Sequence, residues 1–253
     1  MKQLNVCVTG STQGIGLAIA KEFARTGARL VINSNEVDTT VVKEFMNLGE
    51  CHFVCADLSS AKGATSFIDQ AHQKLGRLDT LVNNAGTFTD GKFGSLTEKM
   101  FDLGFNLNVK GYLFAAQAFA DKVDKEQTDA SIICIGSTNS LSAEKDSVIY
   151  DSSKGAILML VRSLAVSLAE QGIRVNGIGP GIIETPLTKA GLDKPGIRAT
   201  LKKRIPLGQI GTSEQIGGAA VFLASPAASY ITGQMLYIDG GILANQISWE
   251  PDF

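Results

Sequence analysis

Short apolar-rich runs alternate along this chain with longer stretches whose apolar positions recur every three or four residues. The runs at 4–9, 28–33, 51–56, 79–84, 130–136, 173–179 and 235–239 have the length and composition of strands. The stretches 15–26, 38–48, 61–75, 97–122, 148–171 and 213–224 fill the gaps and carry helical spacing; Ile15, Ile19, Ala20 and Phe23 are one example. Strands with so little apolar–polar alternation belong in a parallel sheet covered on both faces. The pattern predicts an α/β fold, a doubly wound seven-stranded parallel sheet flanked by helices. Right-handed crossovers put a ligand beyond the carboxyl ends of such strands. Gly10, Asp57, Asn83, Ser137 and Pro180 each follow a strand at that edge.

No linker, repeat or low-complexity run divides residues 1–253, so one domain is expected. Two segments break the alternation. Residues 182–212 form a long insertion with a mixed helix-like stretch rich in Lys, Arg and Gly, in the manner of a lid over a site. The tail 243–253 carries the only tryptophan, Trp249.

The first strand runs directly into Gly10-Ser11-Thr12-Gln13-Gly14-Ile15-Gly16 and then into a helix. Glycines at such a junction let the backbone approach a pyrophosphate, and the helix N-terminus offers free N–H groups and partial positive charge. Three glycines alone are a weak signal; at the first strand–helix junction of an alternating pattern they are a stronger one. Further along, Tyr150 and Lys154 are four residues apart and share a helix face. A free phenol titrates near ~10, and a neighbouring ammonium is expected to lower that value. Ser137, upstream, offers a hydroxyl to hold a substrate oxygen beside the phenol. Such a group moves a proton for an alcohol or ketone and needs a partner for the hydride.

Thr9-Gly10-x3-Gly14-Ile15-Gly16, Asn83-Asn84-Ala85-Gly86, Ser137, Tyr150-x3-Lys154 and Pro180-Gly181 occur in one order. This set closely resembles the short-chain dehydrogenase/reductase family, over roughly residues 4–242, and says little about the substrate. The resemblance implies a Rossmann-like fold, an NAD(H) or NADP(H) cofactor and no metal. It implies that Tyr150 is the general acid/base, that Ser137 positions the substrate oxygen, that Lys154 hydrogen-bonds the nicotinamide ribose, and that Asn108 holds a water linking Lys154 to solvent. Gly10, Gln13, Gly14, Ile15 and Gly16 would surround the phosphates. Asp57 and Leu58 would contact adenine, with Asn84, Ala85 and Gly86 on the adenine ribose side. Ile183 and Thr185, after Pro180-Gly181, would grip the carboxamide and diphosphate. Plainer readings stand beside these: a buried helix asparagine for Asn108, a helix cap for Thr185, a solvated helix lysine for Lys154.

At the end of the second strand, where NAD enzymes of the family usually carry Asp, the chain has Ser34, followed by Asn35 rather than Arg. No charge selects between NAD and NADP there: Glu36, one residue later, would tilt towards NAD, and Ser34 and Asn35 could equally donate hydrogen bonds to a phosphate, so the preference stays open. The resemblance puts the substrate pocket among Phe88, Phe93, Ser137–Ala143, Tyr150 and 182–205. The expected substrate is a small-molecule secondary alcohol or ketone: a 3-oxoacyl thioester, a sugar or polyol, a steroid or a cyclic alcohol. An enoyl reductase is disfavoured, since that relative spaces its Tyr and Lys further apart. The rival is a catalytically silent nucleotide-binding module of the same fold, which loss of Tyr or Lys would have signalled.

Composition narrows the partners. Net charge is 23 − 25 = −2, and no basic block points to nucleic acid or an anionic membrane. The most apolar segment, 156–168, is interrupted by Arg162 and too short to span a bilayer. Met1-Lys2-Gln3 leads at once into the first strand without a signal peptide. Cys7, Cys51, Cys55 and Cys134 read as buried free thiols rather than a zinc site with His52. A cytoplasmic location is expected, and the resemblance implies a homotetramer with interfaces near 97–122, 148–171 and the last strand.

Overall fold

The computed structural model describes residues 3–37, 39–45, 48–124, 126 and 129–245. Seven parallel strands form its main sheet: β1 (Asn5–Val8), β2 (Arg29–Ser34), β3 (Cys51–Cys55), β4 (Thr80–Asn83), β5 (Ser131–Ile135), β6 (Arg174–Pro180) and, last in the chain, Met235–Ile238. The last is β9, because a two-residue parallel pair, β7 (Ile183–Glu184) and β8 (Gly211–Thr212), precedes it. The spatial order is β3-β2-β1-β4-β5-β6-β9. The order reverses between β1 and β4, so the loops after these strands diverge and leave a crevice. Each of the seven expected strands is present; the β7–β8 pair was not expected, because two residues carry no periodicity.

Helices cover both faces. α1 (Gly14–Arg25), α2 (Thr39–Phe45) and α9 (Glu214–Ala224) lie on one side, where Ile19, Phe23, Phe45, Ile216 and Leu223 are buried against Val8, Ile32 and Ile133. α3 (Ala61–Leu75), α5 (Gly111–Ala120) and α6 (Val148–Leu168) lie on the other, where Phe67, Ile68, Tyr112, Phe119, Ile157 and Val161 meet Leu81 and Ile132. Each such side chain contributes roughly 1.5–3 kcal/mol by leaving water. The strands are buried from both sides, which is why their sequences do not alternate.

Two expectations are corrected, the unbroken helix over 97–122 and the burial of all four thiols. The helix expected over 97–122 is broken: α4 (Glu98–Phe105) passes through a π-helical turn at Asn106–Lys110 before α5. Neither Leu nor Val in that turn breaks the apolar period, so periodicity is blind to it. The insertion 182–212 contains α7 (Pro186–Leu192) and α8 (Ile197–Arg204) besides the short strands. Of the four thiols, Cys7 and Cys134 are buried, Cys51 is partly buried and Cys55 is exposed at the end of an outer strand. The tail with Trp249 lies outside the described residues.

Candidate active site at the sheet's carboxyl edge

The glycine turn is built by its neighbours as much as by its glycines. Gly10 and Gly14 have φ of 58° and 55°, a region that strains other residues. A Cβ on Gly10 would sit 2.8 Å from the Ala85 Cα, and one on Gly16 would press into the Gly10 carbonyl and the Asn84 amide. Asn84 Nδ2 donates to the carbonyls of Thr9 (3.0 Å) and Gly10 (2.8 Å). Thr9 Oγ1 accepts from the backbone N–H groups of Asn84 and Ala85, and Asn33 Oδ1 accepts from the Gly10 N–H at 3.1 Å. Thr9, given no role of its own in the sequence motif, and Asn33, which sequence reasoning passed over, thus tie the loops after β1, β2 and β4 together. A polar residue ending an apolar strand was the available signal. The α1 N-cap, Gln13, makes no side-chain cap, and the first turn has no acid. Gly14 and Ile15 of its first turn line the crevice.

The crevice holds a cavity of about 320 Å³. Gly10, Gln13, Gly14 and Ile15 from the turn after β1 line it, with Ser34, Asn35, Asp57 and Leu58 from the ends of β2 and β3. Asn84, Ala85 and Gly86 after β4, Ser137 after β5, Tyr150 and Lys154 on α6, and Pro180, Gly181, Ile183 and Thr185 at and after the end of β6 complete the wall. Of the residues expected to catalyse or to bind the cofactor, Gly16 and Asn108 do not line this wall, nor do Phe88, Phe93 and 138–143 of the expected substrate pocket; Gly16 acts by closeness to Gly10. The only charged side chains among the lining residues are Asp57 and Lys154. The cradle closed to any Cβ and the open helix N-terminus fit a dinucleotide pyrophosphate, whose charge backbone donors and the helix dipole would meet. Thr185 caps α7 in a capping box with Thr188, as the helix-cap reading expected, and it also lines the wall.

At the other end of the cavity, β5 delivers Ser137 and α6 delivers Tyr150 and Lys154. Ser137 is 8 % exposed, and its side chain hydrogen-bonds the Tyr150 phenol. The Tyr150 ring leans on Phe88, with centroids 5.4 Å apart. Lys154 is 5 % exposed; its Nζ donates to the Ile135 carbonyl at 3.0 Å and lies 5.4 Å from the Tyr150 ring centroid. Burial pulls Lys154 down to about 8, with Cys134 acting the other way. Burial pushes Tyr150 up to about 12, Ser137 pulls it back, and the charges of Glu144 and Asp151 push it further up. The phenol therefore stands above its ordinary value rather than below it: desolvation dominates, and the Lys154 ammonium is turned to a backbone carbonyl.

Asn108 is fully buried in the π-helical turn. Its Oδ1 accepts from the Thr87 N–H at 2.8 Å, and its Nδ2 donates to the Thr87 carbonyl and to Ser153 Oγ, both at 3.0 Å. The buried-asparagine reading describes these bonds: Asn108 joins the loop after Gly86 to the helix of Tyr150. Asn83 likewise bonds the Tyr112 carbonyl and braces the sheet. Phe88, Phe93, Leu141 and Leu187, expected at the substrate pocket, are all exposed; Leu187 lines the cavity and Phe88 leans on Tyr150, while Phe93 and Leu141 are not among the lining residues. Among the described residues, no group of three or more His, Cys, Asp or Glu side chains is arranged to hold a metal ion. His52 pairs with Glu50 instead.

The comparisons with known proteins agree with this geometry. A family model described as enoyl-(acyl carrier protein) reductase matches residues 10–243. An L-rhamnose-1-dehydrogenase from Scheffersomyces stipitis is 36% identical over 247 residues, 95% of this chain and 96% of that one. The crystal structure of a gluconate 5-dehydrogenase from Burkholderia cenocepacia, in complex with NADP and tartrate, superposes with a TM-score of 0.90 at 31% identity, covering 97% of both chains. A 3-oxoacyl-[acyl-carrier protein] reductase from Brucella melitensis in complex with NAD gives 0.92 at 30% identity, covering 98% of this chain and 100% of that one. With matches along nearly its whole length and the glycine turn, Ser137, Tyr150 and Lys154 on one cavity wall, the chain belongs to the short-chain dehydrogenase/reductase family.

Proposed function

We propose that this protein is an NAD(P)(H)-dependent oxidoreductase that interconverts a secondary alcohol and a ketone, with a sugar or sugar acid as the substrate class. The observation that carries the reading is the meeting of Ser137, Tyr150 and Lys154 on one wall of the dinucleotide-shaped cavity. When bound, the nicotinamide supplies or takes up the hydride. The chain's own part is to hold the substrate oxygen at Ser137 Oγ and to pass a proton through the Tyr150 hydroxyl: to the oxygen in reduction, from it in oxidation. Lys154 stands beside the phenol and hydrogen-bonds the nicotinamide ribose. Asn108 braces the helix. Gly10 to Gly16, Asp57 and Leu58, Asn84 to Gly86, and Pro180 to Thr185 bind the rest of the cofactor.

The sugar class is taken from the rhamnose and gluconate dehydrogenases among the relatives. Neutral Ser34 and Asn35 neither repel a 2′-phosphate nor clamp it, which supports use of both NAD and NADP. Exposed Phe101, Leu103, Leu113, Met159 and Val166 on α4, α5 and α6 support a homotetramer assembled through these helices. Free thiols support a cytoplasmic location.

The test is turnover of L-rhamnose, D-gluconate and acetoacetyl-CoA with each nicotinamide by the wild type and Tyr150→Phe. Oxidation of a sugar, lost in the variant while NADH still binds, is the expected result. Exclusive activity on the thioester replaces the substrate class. Nicotinamide binding without turnover on a wide alcohol and ketone panel, unchanged by Tyr150→Phe, makes the protein a silent nucleotide-binding module.

A further inference from the structure

Ser137 does not stand alone beside Tyr150. Its Oγ accepts the backbone N–H of Asn139 at 3.1 Å and donates its own proton to Asn139 Oδ1 at 3.3 Å. The second bond is long for a hydroxyl donor, so the proton is parked there rather than tightly held. The other end of the same amide, Asn139 Nδ2, donates to Asp151 Oδ1 at 2.6 Å. A carboxylate only accepts, so the amide cannot turn over without setting oxygen against oxygen. The Asn139 oxygen is therefore compelled to face Ser137. Asn139 is 8 % exposed, as is Ser137, so water does not readily stand in for either bond.

Asp151 is a hub as well as an anchor. Its Oδ1 also accepts from Ser147 Oγ at 2.9 Å, and its Oδ2 accepts from the Glu144 N–H at 2.9 Å. It follows Tyr150 directly on α6. One carboxylate thus fixes the loop after β5, the start of α6 and, through Asn139, the hydroxyl between them.

We infer that Asn139 and Asp151 are a positioning pair that keeps one Ser137 lone pair open to the Tyr150 phenol and the Ser137 proton free to swing to the substrate oxygen. The backbone N–H of Asn139 fills the other lone pair. With its proton swung off the weak bond to Asn139 Oδ1, Ser137 donates to the substrate oxygen in both directions, and the single O–H proton of an alcohol is left for Tyr150. An amide turned the other way would fill the last Ser137 lone pair with an N–H and displace the phenol. The inference rests on the proposed alcohol–ketone reaction.

The test exchanges the two side chains. Asn139→Asp alone sets carboxylate against carboxylate and should lower kcat at least tenfold. The double exchange, Asn139→Asp with Asp151→Asn, restores an acceptor facing Ser137 and a donor between the pair, and should return kcat to within threefold of wild type. Asn139→Ala should lose at least tenfold in kcat on the sugar the wild type turns over best. In all three variants the dissociation constant of NADH, followed by its fluorescence, should stay within twofold of wild type. If the double exchange is no better than Asn139→Asp, or Asn139→Ala keeps wild-type kcat, the pair has no such role. A parallel loss of NADH binding would make it a structural brace and overturn the inference as well. A wild type that turns over the sugar while the exchange fails overturns the pair alone; a wild type inert on every alcohol and ketone overturns the reaction and the pair together.

Discussion

The carboxylate of Asp90 caps the backbone of Tyr150: Oδ2 accepts the Tyr150 N–H at 2.7 Å, and Oδ1 accepts that of Ile149 at 2.8 Å. The residue at the local cap position, Ser147, gives no side-chain cap, so a residue from the loop after β4 does its work. That loop begins with Asn84, Ala85 and Gly86 on the cavity wall. Asp90 therefore ties the helix that carries Tyr150 to the loop that begins at Asn84, and its negative charge meets the positive helix end.

Removing this cap has a defined consequence. Asp90→Ala should cost about 1 kcal/mol of stability, within the ~0.5–2 kcal/mol range of cap losses. It should also lower kcat, because the first turn of α6 carries the phenol. Asp90→Asn, which keeps one acceptor, should fall between. Urea unfolding and steady-state kinetics check both; an Asp90→Ala protein as stable and active as wild type would contradict the reading.

The position of the Tyr150 phenol, pushed up to about 12 by burial, makes the two reaction directions respond differently to pH. Reduction needs the protonated phenol, which is complete at neutral pH. Oxidation needs the deprotonated form, whose fraction rises tenfold per pH unit well below the pKa. Alcohol oxidation should climb from pH 7 to 10 while ketone reduction stays nearly level. Tyr150→Phe should depress both by ~10²–10⁴. Initial rates across that range are the measurement, and an oxidation rate independent of pH would count against a Tyr150 proton step.

Lys154 links the site to stability. Its amine falls from 10.5 to about 8 through burial, so between these values the unfolded chain binds a proton that the native chain has released. Stability from this group then rises with pH across that window and is absent below it. At about 1.4 kcal/mol per unit, the full difference is roughly 3 kcal/mol. The buried thiols of Cys7 and Cys134, both raised, act in the opposite sense, so the wild-type curve alone does not isolate the lysine. The unfolding free energy of wild type minus that of Lys154→Met should increase between pH 8 and 10. A constant difference would show that the amine is not desolvated.

Gly16 offers a steric test of the cradle. Its missing Cβ leaves room for the Gly10 carbonyl and the Asn84 amide, which themselves are hydrogen-bonded. Gly16→Ala should push these apart, destabilise the protein by about 1–3 kcal/mol as overpacking does, and weaken NADH binding at least tenfold. Thermal unfolding and fluorescence titration check the two effects separately.

How much of this was visible in the chain is clearest residue by residue. The strands were legible because both faces of the sheet are covered, which imprints continuous apolar runs on the sequence. The glycine turn, Ser137 and the Tyr150–Lys154 pair were legible because strand ends and a four-residue helical spacing put them at one edge whatever the details of packing. The sequence by itself thus determined the fold class, the family and the place of the site. Tertiary structure alone decided the electrostatics: whether Lys154 lowers Tyr150 depends on how much water each has lost and where the ammonium points, and burial prevailed. It also decided the bracing of the site. Asp90 lies 60 residues from Tyr150, and Asn139 lies 12 from Asp151. Separations of that kind have no period, so these contacts exist only once the loops after β4 and β5 are folded onto α6.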